Sequence, residues 1–146
     1  MRLYPVGRLD YLSSGLIFFT NDGDFAQAVS HPRSGVEKEY LVDFKKEVPE
    51  EFLKEYQKGI MVERERYRLK SYTLRNPYSV SIVLEEGKNR EIRNVFSSRG
   101  LYPKRIHRIR IGHVSVKGLD MGKFRRLTSR EVNIFMKKRK THDSSD

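Results

Sequence analysis

Hydrophobic and polar positions along the chain form short β-type runs separated by polar turns. The apolar run Leu16–Thr20 is bounded by Ser13-Ser14-Gly15 and Asn21-Asp22-Gly23, as is typical of a buried strand. Tyr40–Phe44 alternates apolar and polar residues, which predicts a second strand. Tyr67–Leu74 and Tyr78–Leu84 are rich in aromatic and branched residues and are separated by a proline-containing turn, so we expect a hairpin.

A last β-type segment, Lys104–Val116, alternates apolar and basic residues. The alternation changes parity between Ile106 and Ile109. A β-bulge shifts one strand by one residue, so the slip predicts either a bulge at this point or a late start of the strand.

Four other segments are typical of short helices, because each combines an apolar face with capping or terminating residues. They are Phe25–Val29 with Asp22 or Asp24 as the cap and His31-Pro32 after it, Pro49–Tyr56 followed by Gly59, Arg90–Phe96 followed by Gly100, and a segment from a Thr128 or Ser129 cap to about Lys138. These elements predict an α+β fold, with a mixed, mainly antiparallel sheet and flanking helices. We expect one domain over residues 1–138 and a disordered basic and polar tail over 139–146.

Composition excludes several classes of protein. A chain of 146 residues can bury a core without metals or disulfides. It has no cysteine, which excludes disulfides, thiolate nucleophiles and zinc–cysteine sites. The longest apolar run, Leu16–Phe19, is too short to cross a bilayer, and the N-terminus has no signal pattern. We therefore expect a soluble, cytoplasmic, monomeric protein without a membrane partner.

The net charge of +11 is concentrated in one segment. Between Lys88 and Arg130 the chain has 13 lysines and arginines but only two acids, Glu91 and Asp120, whereas the rest of the chain is neutral overall. Such a segment is the electrostatic pattern expected for binding a polyanion, although a solvated face without a partner has the same pattern.

Few side chains are candidates for catalysis. The histidines lack metal-ligand spacing, and no serine lies in a nucleophile-elbow pattern. Asp10 follows Gly7-Arg8-Leu9 and precedes a buried strand, which places it at the rim of a rigid element. On its own, Asp10 is better explained as a turn-forming or capping residue than as a catalytic one.

Five segments, in order, resemble the RsuA-type ribosomal RNA pseudouridine synthases. They are Tyr4–Gly23 with Gly7-Arg8-Leu9-Asp10, His31-Pro32 with Glu37-Lys38-Glu39-Tyr40, Glu86–Arg93, Ile106-His107-Arg108 with Ile111-Gly112, and Gly122–Thr128. The resemblance covers nearly the whole chain. It implies the pseudouridine synthase catalytic fold and the conversion of uridine in ribosomal RNA to pseudouridine, without a cofactor or metal.

The resemblance also implies roles for individual residues. Asp10 matches the family's nucleophile, and Arg93 matches the arginine that pairs with it and favours its ionised form. Tyr40 matches the active-site tyrosine, which can stack on uracil, and Ile92 would pack under that ring. Arg8 matches the basic residue beside the nucleophile, placed to contact phosphate or to fill the gap left by a flipped base. Without the resemblance, Tyr40 reads as a core aromatic and Arg93 as a solvated helix arginine.

Further contacts with ribosomal RNA are expected from residues in the basic segment, because phosphate neutralisation dominates such affinity. These residues are Lys88, Asn89, Arg90, Arg108, Arg125 and Arg126.

The sequence differs from the family's pattern at its N-terminus. Members usually carry a strand with a Lys-Pro-x-Gly element before the aspartate motif and an S4-type RNA-binding domain before that strand. We therefore expect an N-terminally truncated catalytic domain. The alternative is a non-catalytic RNA-binding or ribosome-assembly module. An acidic residue beside Arg8 favours the enzyme, since an acid in a polyanion-binding surface otherwise weakens binding.

Overall fold

A computed structural model of the chain describes residues 2–88 and 90–145, with side chains described as far as Lys137. The strands are Tyr4–Val6 (β1), Ser13–Gly15 (β2), Phe18–Thr20 (β3), Lys38–Phe44 (β4), Ile60–Val62 (β5), Glu65–Tyr67 (β6), Ser71–Asn76 (β7), Ser79–Leu84 (β8), Pro103–Ile111 (β9) and Val114–Ser115 (β10). The α-helices are Gly23–Ser30 (α1), Glu50–Lys58 (α2), Glu91–Ser97 (α3) and Ser129–Ser145 (α4), and Pro32–Ser34 forms a 3₁₀ turn.

The central sheet has the order β10-β9-β4-β8-β7, and all of these pairs are antiparallel. A sixth strand, β2, pairs with β9 in parallel. This arrangement confirms the predicted α+β class. In the pairing of β4 with β9, Glu39 lies opposite Arg110 and Tyr40 opposite Arg108, so Ile109 is the extra residue of a bulge. The predicted bulge between Ile106 and Ile109 is therefore confirmed.

Two apolar clusters hold the helices on the sheet. The larger cluster packs α2 and α3 against the sheet and includes Phe52, Tyr56 and Phe96. The smaller cluster joins α1 and α4 to β3 through the mutually packed rings of Phe25, Phe135 and Phe18. Helices α2 and α3 thus cover the sheet at β4, β8 and β9.

The short helix after β3 forms as the sequence predicts. Asp22 caps α1, because its carboxylate accepts hydrogen bonds from the backbone N–H groups of Asp24 and Phe25. The helix ends at Ser30, before His31-Pro32. Of the two cap candidates, the structure therefore selects Asp22.

Two predictions about element boundaries were wrong. The turn predicted at Ser13–Gly15 is strand β2. Tyr67 does not begin the large hairpin but ends the small hairpin β5–β6. That hairpin turns at Glu63 and Arg64, which both have positive φ, a conformation that usually selects asparagine or glycine. Because these turn residues are unusual, no hairpin is predicted there from the sequence.

Helix α4 continues past the predicted end near Lys138, to Ser145. Neither glycine nor proline follows Lys138, and lysine and arginine are good helix formers, so nothing in the sequence ends the helix there. The disordered basic and polar tail over 139–146 stays a prediction. The domain boundary at residue 138 stays a prediction.

Candidate active site

Asp10 lies in the loop between β1 and β2. The loop begins at Gly7, whose φ of +70° suits glycine, and it turns at Asp10, whose carbonyl accepts a hydrogen bond of 2.7 Å from the backbone N–H of Ser13. The carboxylate is partly buried, with 19% of the side chain exposed. It is thus held at the rim of the sheet but remains open to a ligand.

Arg93 on α3 pairs with this carboxylate. Its Nε donates to Asp10 Oδ2 at 3.0 Å, and its Nη2 donates to the carbonyl of Leu12 at 3.1 Å. The guanidinium therefore contacts both the side chain of Asp10 and the backbone just after it. The pairing that the resemblance implies is present, across 83 positions of sequence.

The sequence predicts that Arg108 on β9 contacts the phosphates of RNA, but its side chain is buried. It is 3% exposed, and its Nε donates to the carbonyl of Leu16 at 2.8 Å. Its Nη1 donates to the carbonyl of Arg8 at 3.4 Å. Because Arg108 lies before the bulge at Ile109, it shares the inward face of Ile106, and the parity slip in the sequence could have indicated this. The prediction is corrected: Arg108 contacts the backbone on either side of Asp10.

Tyr40 and Ile92 belong to the same region of the core. Tyr40 is half-buried on β4, opposite Arg108 on β9 and Ile82 on β8, and packs against the larger apolar cluster. Ile92 is buried in that cluster on α3, next to Arg93. The predicted contact of both with a uracil ring stays a prediction.

A buried acid that was not predicted from the sequence lies beside the site. Glu91 in the first turn of α3 is 4% exposed, and its Oε2 accepts a hydrogen bond of 2.8 Å from the hydroxyl of Tyr56 on α2. Burial, with the nearby charge of Glu86, raises the pKa of Glu91 to about 9. Burial, with the nearby charge of Arg108, lowers the pKa of Lys38. Glu91 lies four residues before the buried Val95, so helical spacing could have indicated that it points inward.

The remaining predicted RNA contacts have different surroundings. Lys88 pairs with Glu65 and Glu86, and Arg125 forms a bidentate pair with Glu131. Three others, Arg8, Arg90 and Arg126, are exposed. Asn89 lies outside the described residues.

The described chain contains no cluster of three or more histidines, cysteines and acids that could hold a metal ion. Within the same residues, no helix has both the length and the apolar character needed to span a membrane.

The fold is that of a pseudouridylate synthase. A crystal structure of a pseudouridylate synthase superposes on 91% of this chain and 59% of its own, with a TM-score of 0.85 and 28% identity. An H/ACA ribonucleoprotein structure with a bound substrate RNA shares the fold alone, with a TM-score of 0.55 and 19% identity. The sequence profile described as RNA pseudouridylate synthase matches residues 1–98. The chain therefore belongs to the RNA pseudouridylate synthase family.

Similar proteins carry the corresponding names. A protein of Borreliella burgdorferi named as an uncharacterized RNA pseudouridine synthase is 46% identical over 90% of this chain and 53% of its own. Ribosomal large subunit pseudouridine synthase B of Bacillus subtilis is 35% identical over 90% of this chain and 56% of its own. The dual-specificity RNA pseudouridine synthase RluF of Escherichia coli is 36% identical, over 90% and 45% respectively. The chain thus spans about half the length of these relatives. The resemblance to RsuA-type enzymes is confirmed at the level of the family.

Proposed function

We propose that this chain carries the active site of an enzyme that isomerises uridine in ribosomal RNA to pseudouridine, with Asp10 as the nucleophile. The observation that carries the proposal is the 3.0 Å contact between Arg93 Nε and Asp10 Oδ2 in a member of this family. Of the three named relatives, two are RNA pseudouridine synthases by their printed names and the third is a pseudouridine synthase of the large ribosomal subunit. Ribosomal RNA is therefore the proposed substrate.

The chemistry suits a carboxylate beside a cation. Conversion breaks the bond between C1′ and N1 of the nucleotide and forms a bond between C1′ and C5. C5 loses its proton to solvent and N1 takes up a proton, so atoms and redox state balance without a cofactor. A carboxylate can serve this reaction by a covalent or glycal-type route. The guanidinium of Arg93 lies against the carboxylate of Asp10 and fixes its direction.

The uracil base would lie between Asp10 and the sheet. Tyr40 offers the edge or face of a half-buried ring, and Ile92 on the neighbouring helix offers an apolar contact. A flipped base needs such a stacking surface, because it loses its stacking partners when it leaves the RNA. Arg8, exposed two residues before the nucleophile, is placed to contact phosphate or to occupy the vacated stack.

The RNA backbone would meet the exposed cations of the basic segment. Six of its 13 cations are paired with acids or buried, namely Lys88, Arg93, Arg99, Arg108, Arg110 and Arg125. The other seven are exposed: Arg90, Lys104, Arg105, Lys117, Lys123, Arg126 and Arg130. We therefore assign phosphate contacts to this smaller set.

The test is Asp10→Asn in the full-length protein. We expect it to abolish tritium release from ribosomal RNA fragments that carry 5-tritiated uridine, because an amide keeps the shape of the side chain but is not a nucleophile. Binding to the same RNA should stay nearly unchanged. Asp120→Asn, the same substitution at an exposed position, is the matched control and should release tritium at the wild-type rate.

The same experiment separates the enzyme from the second candidate. A non-catalytic RNA-binding or ribosome-assembly module would bind RNA and release no tritium even as the wild type. Tritium release by Asp10→Asn at the wild-type rate would contradict the nucleophile assignment. Action as a monomer in the cytoplasm stays a prediction.

A further inference from the structure

We propose that Arg108 is a positioning residue for Asp10, which fixes the backbone on both sides of the nucleophile. This inference rests on the proposed function, since it concerns the same site. The loop from Arg8 to Leu16 has its two ends held by one buried guanidinium, through the carbonyl of Arg8 and the carbonyl of Leu16.

The backbone of Arg108 reinforces this contact. Its carbonyl accepts a hydrogen bond of 2.9 Å from the backbone N–H of Leu16, and β2 pairs in parallel with β9 at Gly15 and Arg108. The approach is so close that a Cβ on Gly15 would lie 2.2 Å from the carbonyl oxygen of Arg108. Gly15 also has a φ of +118°, which disfavours any side chain. The strand after the nucleophile is therefore seated directly on Arg108.

Arg93 and Arg108 divide the work at Asp10. Arg93 holds the carboxylate and the carbonyl of Leu12 from the helix side. Arg108 holds the residues further out in the loop from the sheet side. With four points fixed between Arg8 and Leu16, the carboxylate is confined to one position before a substrate arrives.

The placement of Arg108 is poor for stability. Its guanidinium is buried, forms no ion pair within the described residues, and leaves Nη2 without a hydrogen-bond partner. Lys38, a second cation, lies near enough to interact with it. A buried charge without a counterion is unfavourable. The guanidinium nevertheless donates to the carbonyls of Arg8 and Leu16, on either side of the nucleophile, and this contact accounts for its place in terms of positioning Asp10.

The experiment compares variants of β9 in the full-length protein. Their activity is measured as tritium release from ribosomal RNA fragments. Arg108→Met should lower kcat by about 100-fold, since misplacing a reacting group by 1 Å can have an effect of that size. KM should change little, because Arg108 does not touch the RNA. Hydrogen–deuterium exchange should quicken in peptides spanning residues 8–16 and stay unchanged in β4 and β8. Arg108→Lys keeps the charge and one donor, so its kcat should lie between that of the wild type and that of Arg108→Met.

Arg110→Met is the matched control on the same strand. Arg110 pairs with Glu37 and Glu39 and not with the nucleophile loop, so kcat and exchange in residues 8–16 should stay at wild-type values. If Arg108→Met does not fold, Gly15→Ala and Arg108→Lys decide, since each disturbs the same contact from one side. Lower kcat with faster exchange in the loop supports the proposal.

Wild-type kcat and exchange in the Arg108 variants would overturn the positioning role, as would a rise in KM without a fall in kcat. An inactive wild type would instead contradict the proposed function, and the exchange measurement would still show whether Arg108 fixes the loop.

Discussion

Glu91 lies two residues before Arg93, and its environment is unusual for an acid. Its carboxyl group is buried between α2 and α3, where Tyr56 donates to one oxygen and the other has no partner. Glu86, Lys88 and Lys38 are the charged neighbours that interact with it. With a pKa raised to about 9, Glu91 is uncharged in the folded protein at neutral pH.

This raised pKa makes stability depend on pH. The unfolded chain ionises Glu91 near its ordinary pKa of 4.5, whereas the folded chain does so only near 9. The contribution of Glu91 to stability is therefore greatest below pH 4.5 and falls by up to about 1.4 kcal/mol per pH unit as the pH rises from 4.5 to 9. Glu91→Gln should remove this loss. Urea denaturation at pH 5 and pH 8 checks it: the variant should gain relative to the wild type at pH 8. An equal difference at both pH values would contradict the raised pKa.

At the scale of single residues, the sequence predicts identities better than surroundings. Asp10 and Arg93 could be paired only through the resemblance, because no local pattern links positions 83 apart. Habit favours exposure for an arginine in a strand, but Arg108 lies before the bulge at Ile109 and shares the buried face of Ile106. Burial of a charge depends on contacts from distant elements, and no window of sequence contains them.

Among the elements, the start of α4 illustrates a reciprocal cap. Thr128 Oγ1 accepts a hydrogen bond of 3.1 Å from the backbone N–H of Glu131, and Glu131 Oε1 accepts one of 2.8 Å from the N–H of Thr128. Arg125 holds the same carboxylate in a bidentate pair. The hydrogen bond from Arg125, followed by that from Thr128, lowers the pKa of Glu131 to about 2.

Loss of this cap should destabilise the fold, because α4 supplies Phe135 to the smaller apolar cluster. Thr128→Ala should reduce the free energy of unfolding by about 1 kcal/mol, the usual effect of losing a capping hydroxyl. Thermal and urea denaturation measure it. Ser129→Ala, which removes the adjacent hydroxyl, is the control and should be nearly neutral; an equal loss in both variants would speak against the cap.

The elements predicted well are those with their own caps or periodic faces, such as α1 with Asp22 and α2 with Gly59. The composition of Ser13-Ser14-Gly15 predicts a turn, but the segment is strand β2. Its extended backbone is fixed instead by pairing with β9, far along the chain. A cross-strand hydrogen bond between Ser14 Oγ and His107 Nδ1, at 2.7 Å, belongs to the same pairing. Tertiary contacts decided these cases.

For the whole molecule, the proposed binding of RNA through the basic segment should weaken as the salt concentration rises. Arg126 is exposed, whereas Arg125 already pairs with Glu131. Arg126→Gln should lower the slope of log affinity against log salt by roughly 0.7 to 0.9, which corresponds to one phosphate. Arg125→Gln should lower it less. Titrations with an rRNA fragment at several salt concentrations measure both slopes; a steeper loss for Arg125→Gln would contradict the assignment of phosphate contacts from exposure.

The summed charge of the segment from Lys88 to Arg130 overestimates the number of cations that are free to contact phosphate. The sequence predicts a segment of +11, but folding directs Arg99 to Glu55 and Arg110 to Glu37 and Glu39, acids from the neutral part of the chain. The fold class was predicted correctly because it depends on the order of elements, which periodicity records. The binding surface depends on which charges are neutralised, and that requires the fold.

The central claim is that Asp10 of this chain makes pseudouridine in ribosomal RNA. The most direct measurement maps pseudouridines by chemical sequencing of ribosomal RNA in three strains of the source organism: one lacking the gene, one with the wild-type gene restored, and one with the Asp10→Asn allele at equal protein level. We expect at least one ribosomal pseudouridine to vanish with the gene, to return with the wild type, and to stay absent with Asp10→Asn. An unchanged map in the strain lacking the gene, or full restoration by Asp10→Asn, would contradict the account.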